Sequence, residues 1–219
     1  NDNKEENMKT KKFTTSQLTI LGLMAGILFL MAYTPLGYLN IGPLAVTFNV
    51  IPVAVCAIVL GPTGGAIAGA VFGLTSFMQA IGIGGVSALG SALFQINPFM
   101  TAVQCFGPRI LDGICIGFIY RAVHKKANTY VSCAVTGFFS AFLNTLFFMT
   151  ALIVMFGNTE LIRNLMGGHN IIVGCCLMVG VNAISEMVSS TIITAAVGTA
   201  LSKAHLIPAV QIVKTDTAA

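Results

Sequence analysis

Three charged side chains interrupt the long apolar runs of this 219-residue chain: Arg109, Asp112 and Glu186. A charge at the middle of a bilayer costs about 2.5–3.5 kcal/mol on insertion scales, so a charge retained there marks a functional site by default. Arg109 and Asp112 are three residues apart, a spacing that puts both on one helix face, where they can pair. The same arginine offers a planar fork of donors that suits a carboxylate, and Glu186 is an alternative counter-charge for it. Two readings stand side by side: a structural ion pair, or a guanidinium that receives an anionic ligand.

Amides and hydroxyls surround these charges along the chain. Asn97, Thr101 and Gln104 recur at helical spacing, Asn144 and Thr145 follow, and Asn182, Ser185, Glu186 and Ser189 close the series, with Asn182 and Glu186 one turn apart. Such residues act as interhelical glue at about 0.6 kcal/mol each. Their concentration in the last three apolar runs, against near-absence from the first and third, predicts a polar cavity instead. The other half of the chain is rich in small residues. Gly61, Gly65, Gly69 and Gly73 recur every four residues, and Gly22 and Gly26 form another such pair. This spacing lets helix backbones approach closely, either within the molecule or against another membrane protein.

The elements that carry these residues follow from composition. Hydrophobic residues make up 56% of the chain and charged residues 8%, with a mean hydropathy of +0.89. A soluble domain carries about 25% charged residues, and disordered chains are poor in apolar residues, so both classes are excluded. At about 20 residues per span, the apolar content suffices for about six helices. The apolar runs are continuous, as in 51–60 and 195–201, which excludes the alternation of a β-barrel. The expected fold is therefore an all-α membrane protein with six transmembrane helices: 17–34, 43–60 with a kink at Pro52, 65–82 after a tight turn at 61–64, 98–123, 130–156 and 171–201. The Gly/Ser-rich stretch 82–97 is apolar enough to lie on or dip into the membrane. Residues 1–16 read as a disordered tail without a secretory signal, 17–203 as the membrane domain, and 204–219 as a C-terminal tail.

Basic residues orient the spans. Lys4, Lys9, Lys11, Lys12, Arg121, Lys125, Lys126, Lys203 and Lys214 fall on one side, against Arg163 on the other. Both termini are thus expected in the cytoplasm, and the formal charge of +4 is a topology signal that calls for no nucleic-acid partner. No lysine follows a glycine, so there is no P-loop to bind ATP. The glycine run 82–85 lacks the flanking strand and helix of a dinucleotide fingerprint. His124, His169 and His205 all fall outside the spans, which disfavours an intramembrane enzyme. The six cysteines lack zinc-type or disulfide spacing, and adjacent Cys175 and Cys176 read as packing residues.

The stretch IGPLAVTFNVIPVAVCAIVLGPTGGAIAGAVFGLTSF (41–77), followed by NPF (97–99) and PRILDG (108–113), resembles the substrate-binding S components of energy-coupling factor (ECF) transporters, most closely the pantothenate-specific group. The resemblance spans roughly 17–203. It implies a six-helix protein of the prokaryotic plasma membrane, not an enzyme and without a cofactor of its own. Such a protein captures a vitamin from outside and docks on a T component bound to two ATPases that use ATP. It implies substrate contacts at Gln104, Arg109, Asn144, Asn182 and Glu186, gate residues at Tyr38 and Asn40, and a partner-facing motif at Gly22 and Gly26. An S component for another vitamin or precursor, and a stand-alone secondary transporter, are the alternatives. Inverted repeats would favour the latter, and no convincing repeat relates the two halves.

Overall fold

The computed structural model describes residues 14–34, 37–40, 45–85, 87–165 and 171–207. Most of both predicted tails, His169 and the side chains of Cys175 and Cys176 lie outside the described residues. Helix starts coincide with side chains that take up orphan backbone donors. Thr14 opens α1 (Thr15–Ala32) with a capping box, its hydroxyl accepting from Gln17 N–H while the Gln17 amide oxygen accepts from Thr14 N–H. Ser87 caps α3 (Ala88–Ile96), after α2 (Val50–Ala80). Asn97 caps α4 (Pro98–His124), whose first residue is a proline with no N–H to satisfy, and Asn128 caps α5 (Thr129–Phe156). The short α6 (Glu160–Leu165) and the long α7 (Ile171–Lys203) complete the helices. Five of the described helical segments are long and apolar enough to cross a membrane: Thr15–Ala32, Val50–Ala80, Pro98–His124, Thr129–Phe156 and Asn182–Lys203.

The second of these is two arms. At Gly61 the backbone takes φ 74° and ψ −164°, a left-handed conformation that glycine adopts readily, and Pro62 then restarts the helix. A Cβ built on Gly65 would lie 3.0 Å from Ala57 Cβ, although eight residues of straight helix would separate them by about 12 Å. The chain therefore reverses there, as the Gly-Pro-Thr-Gly turn predicts. The first arm packs Val50, Val53 and Ala54 near Leu28, and Val59 and Leu60 near Ile20 and Leu21, so it runs antiparallel to α1. The second arm returns to the Ala32 end, where the Gln79 amide donates to the Ala32 carbonyl.

Two expectations are corrected here. The second span starts at Val50 rather than Pro43, because Ala45–Thr47 (β2) pairs antiparallel with Tyr38–Asn40 (β1) in a hairpin. Pro52 falls in the first helical turn, where the missing N–H has no intrahelical partner to lose, so it makes no kink.

Glycines set the register of α4 against the second arm. A Cβ on Gly65 would fall on the Gly113 carbonyl, one on Gly69 on the Arg109 carbonyl, and one on Gly73 within 3.0 Å of Phe106 Cα. The four-residue glycine spacing is thus an internal backbone-to-backbone contact, and its partner is α4. Gly22 and Gly26 differ, since nothing lies within 4 Å of a Cβ at either position. On the same helix Leu18, Leu23 and Leu30 are exposed.

Candidate functional site

At the Ala32 end of the bundle lies a cavity of about 660 Å³, walled by the end of α1, the second arm of α2, α3, the first half of α4, the middle of α5 and the first half of α7. This volume is within the usual 300–1,000 Å³ of a small-molecule site. Gln104, Arg109, Asn144, Asn182 and Glu186 all line it, together with Thr101 and Thr145. Asn97 instead caps α4. Ser185 is exposed, and Ser189 donates to the Ser185 carbonyl, so neither belongs to the wall.

Pro108 accounts for the pose of Arg109. A proline cannot donate to the carbonyl one turn back, which leaves the Gln104 carbonyl open. Arg109 Nη1 donates to it at 3.2 Å and to the Cys105 carbonyl at 3.1 Å. The guanidinium carbon sits 4.7 Å from the centre of the Phe72 ring and 5.3 Å from that of Phe148, within cation–π range. Its Nε is buried without a partner. The guanidinium is thus directed back up the helix and away from Asp112, whose buried Oδ1 also has no hydrogen-bond partner. The three-residue spacing does not become an ion pair.

The amides are set by similar constraints. Gln104 Nε2 donates to the Phe148 carbonyl at 2.9 Å, which orients the side chain and leaves Oε1 buried and unpartnered. Asn144 Oδ1 is also buried and unpartnered. Glu186 accepts the Thr47 backbone N–H at 2.6 Å. Phe72, Leu89, Leu93, Phe148, Met149 and Val179 supply an apolar wall. Such a cavity suits a small amphipathic molecule with one anionic group and several donors.

Sequence reasoning missed part of this wall. Ser76 and Gln79 line the cavity from the second arm of α2, and Thr75 is buried beside them. The third predicted span is therefore not free of polar residues, and the Ser76–Gln79 spacing of one turn was the available signal. The backbones of Tyr38 and Asn40 form β1, while their side chains lie outside the described residues. Gly22 and Gly26 are on α1, and neither lines the cavity.

Residues 16–198 match the family described as ECF transporter, substrate-specific component. The chain is 32% identical over 197 residues to the "Pantothenate transporter PanT" of Leuconostoc mesenteroides subsp. mesenteroides, covering 85% of this chain and 92% of that one. It is 28% identical over 208 residues to the "Pantothenic acid transporter PanT" of Lactococcus lactis subsp. cremoris, covering 89% and 98% respectively.

Proposed function

This chain belongs to the family of ECF transporter substrate-specific components, and from that premise we propose that it captures pantothenate outside the cell and delivers it through partner subunits. It is a multi-pass membrane transport protein and not an enzyme. The observation that carries the substrate is the match between cavity and molecule, supported by the names of the two relatives. Pantothenate has one carboxylate, one amide N–H, two hydroxyls and a dimethyl-substituted carbon. Arg109, with its Nε unpartnered and two rings beside its guanidinium, receives the carboxylate. The unpartnered oxygens of Gln104 and Asn144 accept from the hydroxyls and the amide. Asn182 and Glu186 complete the polar wall, Phe148, Met149 and Val179 contact the dimethyl group, and Tyr38 and Asn40 close over the ligand.

In this reading the chain crosses a prokaryotic plasma membrane six times, with the two arms of α2 as separate passes. Thr15 and Lys203 begin and end the helices at the end opposite the cavity, where Ile20 and Leu201 share a cluster and where Arg121, Lys125 and Lys126 also lie. Placing that basic end in the cytoplasm leaves the cavity facing outward. The open stripe of Gly22 and Gly26 receives the T component, and two ATPases on that component supply the energy through ATP, so the chain needs no cofactor of its own.

Calorimetry on the purified protein tests the substrate. Pantothenate is expected to bind at least tenfold more tightly than its uncharged alcohol, pantothenol. Equal or tighter binding of pantothenol would refute the carboxylate assignment, and binding of neither would refute the vitamin.

A further inference from the structure

The end of the bundle opposite the cavity carries Arg121, Lys125, Lys126 and Lys203. Among the described residues the carboxylates are Asp112, Glu160 and Glu186, and none is at that end. Asp112 is buried in the bundle, Glu186 lines the cavity, and Glu160 opens α6, which packs beside Leu93 and Met149 of the cavity wall. Arg121 is exposed and makes no hydrogen bond or ion pair among the described residues. Its guanidinium still has a defined seat. A Cβ built on Gly61 would fall on Arg121 Nη2 and lie 2.9 Å from Cζ, so the fork rests on the backbone of the turn between the two arms of α2.

An apolar stripe of α4 leads away from this seat toward the middle of the membrane. Leu111, Ile114, Phe118, Arg121 and Lys125 follow at intervals of three and four residues, which keeps them on one helix face. The other faces are taken: Gly113 and Gly117 meet the backbone of the second arm of α2, and Ile116 and Tyr120 are buried among residues of the first. Leu111 is 53% and Phe118 59% exposed. Leu111 to Arg121 spans about 15 Å at 1.5 Å per residue, half of a hydrocarbon core about 30 Å thick. Helices approach closely over small residues, so large projecting side chains hold a second helix off, whereas a flexible acyl chain conforms to them. A guanidinium takes a phosphate through two parallel N–H bonds. We propose that this face of α4 binds one anionic phospholipid, with its phosphate on Arg121 and Lys125 and an acyl chain along Phe118, Ile114 and Leu111. A zwitterionic headgroup would bring an ammonium to an end where no described carboxylate receives it. The site rests on membrane placement and not on the identity of the vitamin.

Native mass spectrometry tests the site on the purified full chain, titrated in detergent with palmitoyl-oleoyl phosphatidylglycerol or phosphatidylcholine. One phosphatidylglycerol is expected to bind the parent at least tenfold more tightly than phosphatidylcholine does. Arg121→Gln and Lys125→Gln together should weaken phosphatidylglycerol at least fivefold and leave phosphatidylcholine within twofold. Lys203→Gln is the control. It removes a charge from the same end of the bundle on α7, which packs against α5, and should leave phosphatidylglycerol within twofold. Glycerol phosphate at matching concentrations should not displace the lipid. Equal affinity of the parent for the two lipids overturns the proposal. So does an equal loss in Lys203→Gln, which would mean diffuse attraction, and so does displacement by glycerol phosphate, which would leave the apolar stripe without a role. Retained phosphatidylglycerol binding in the double variant, with co-purification of partner subunits lost, would make the face a protein-docking surface and overturn it as well. Should the double variant fail to fold, Arg121→Lys keeps the charge and loses the fork; an at least threefold weaker binding of phosphatidylglycerol is expected, and unchanged binding overturns the site.

Discussion

Arg109 is stabilised by groups that a lysine could not use in the same way. Two carbonyls of its own helix take Nη1, and two aromatic rings lie within cation–π range of the delocalised plane. An ammonium is a compact, strongly hydrated charge and presents no fork. Arg109→Lys is therefore expected to fold and to bind pantothenate at least tenfold more weakly, a loss of about 1.4 kcal/mol or more. Calorimetry on parent and variant checks this, and unchanged affinity would make Arg109 structural. At this scale the sequence showed which side chains are costly at membrane depth, and the structure brings seven of the polar residues singled out to one cavity. It did not show what each one bonds. The partner of Glu186 is a backbone N–H, which any residue at position 47 except proline would supply. The Arg109 pose likewise depends on the carbonyl that Pro108 leaves open, a consequence of backbone geometry rather than of charge spacing.

Helices acquire their positions from small residues, and the two glycine stripes divide the work. On the second arm of α2, Gly69 lies against the carbonyl of Arg109 itself. A methyl group there meets backbone, which cannot yield as a flexible side chain can. Gly69→Ala should destabilise the protein by about 1–3 kcal/mol, the usual range for overpacking. It should also weaken pantothenate binding, because α4 must shift and carry the guanidinium with it. Thermal melting and calorimetry on one preparation read both effects. At Gly22 and Gly26 an added Cβ meets nothing within 4 Å in the isolated chain, so Gly22→Leu and Gly26→Leu start from open space. Both variants should keep the parent melting temperature and pantothenate affinity within threefold, while losing co-purification with the T component. Loss of folding or binding in these two would return them to internal packing. Spacing of four marks a close-approach face in either case, so periodicity alone could not say which stripe faces inward. The Gly-Pro-Thr-Gly turn was legible because it combines a left-handed position with a helix start, whereas the hairpin was hidden within a run apolar enough to read as helix.

For the whole molecule, the proposed function separates capture from energy. The cavity and its anchors are at one end of the bundle, and the open stripe on α1 runs toward the other. The chain has no Gly-Lys-Ser or Gly-Lys-Thr for nucleotide binding, and the proposed reading draws any concentrative step from partners, the alternative reading from an ion gradient. These alternatives give opposite results in proteoliposomes. The chain alone should bind pantothenate without accumulating it, with or without a sodium or proton gradient. Adding the T component and ATPases should produce ATP-dependent accumulation, and replacing ATP by a non-hydrolysable analogue should abolish it. Beyond the cavity, glycine contacts hold α4 tightly against the second arm of α2. In the proposed reading, release on the inner side needs either the bundle to reorient or the Gly65–Gly113 and Gly69–Arg109 backbone contacts to part. In that reading the partner subunits supply the drive. Gradient-driven accumulation by the chain alone would show that the inner path does open without partners, and would replace the partner-dependent importer with a secondary transporter.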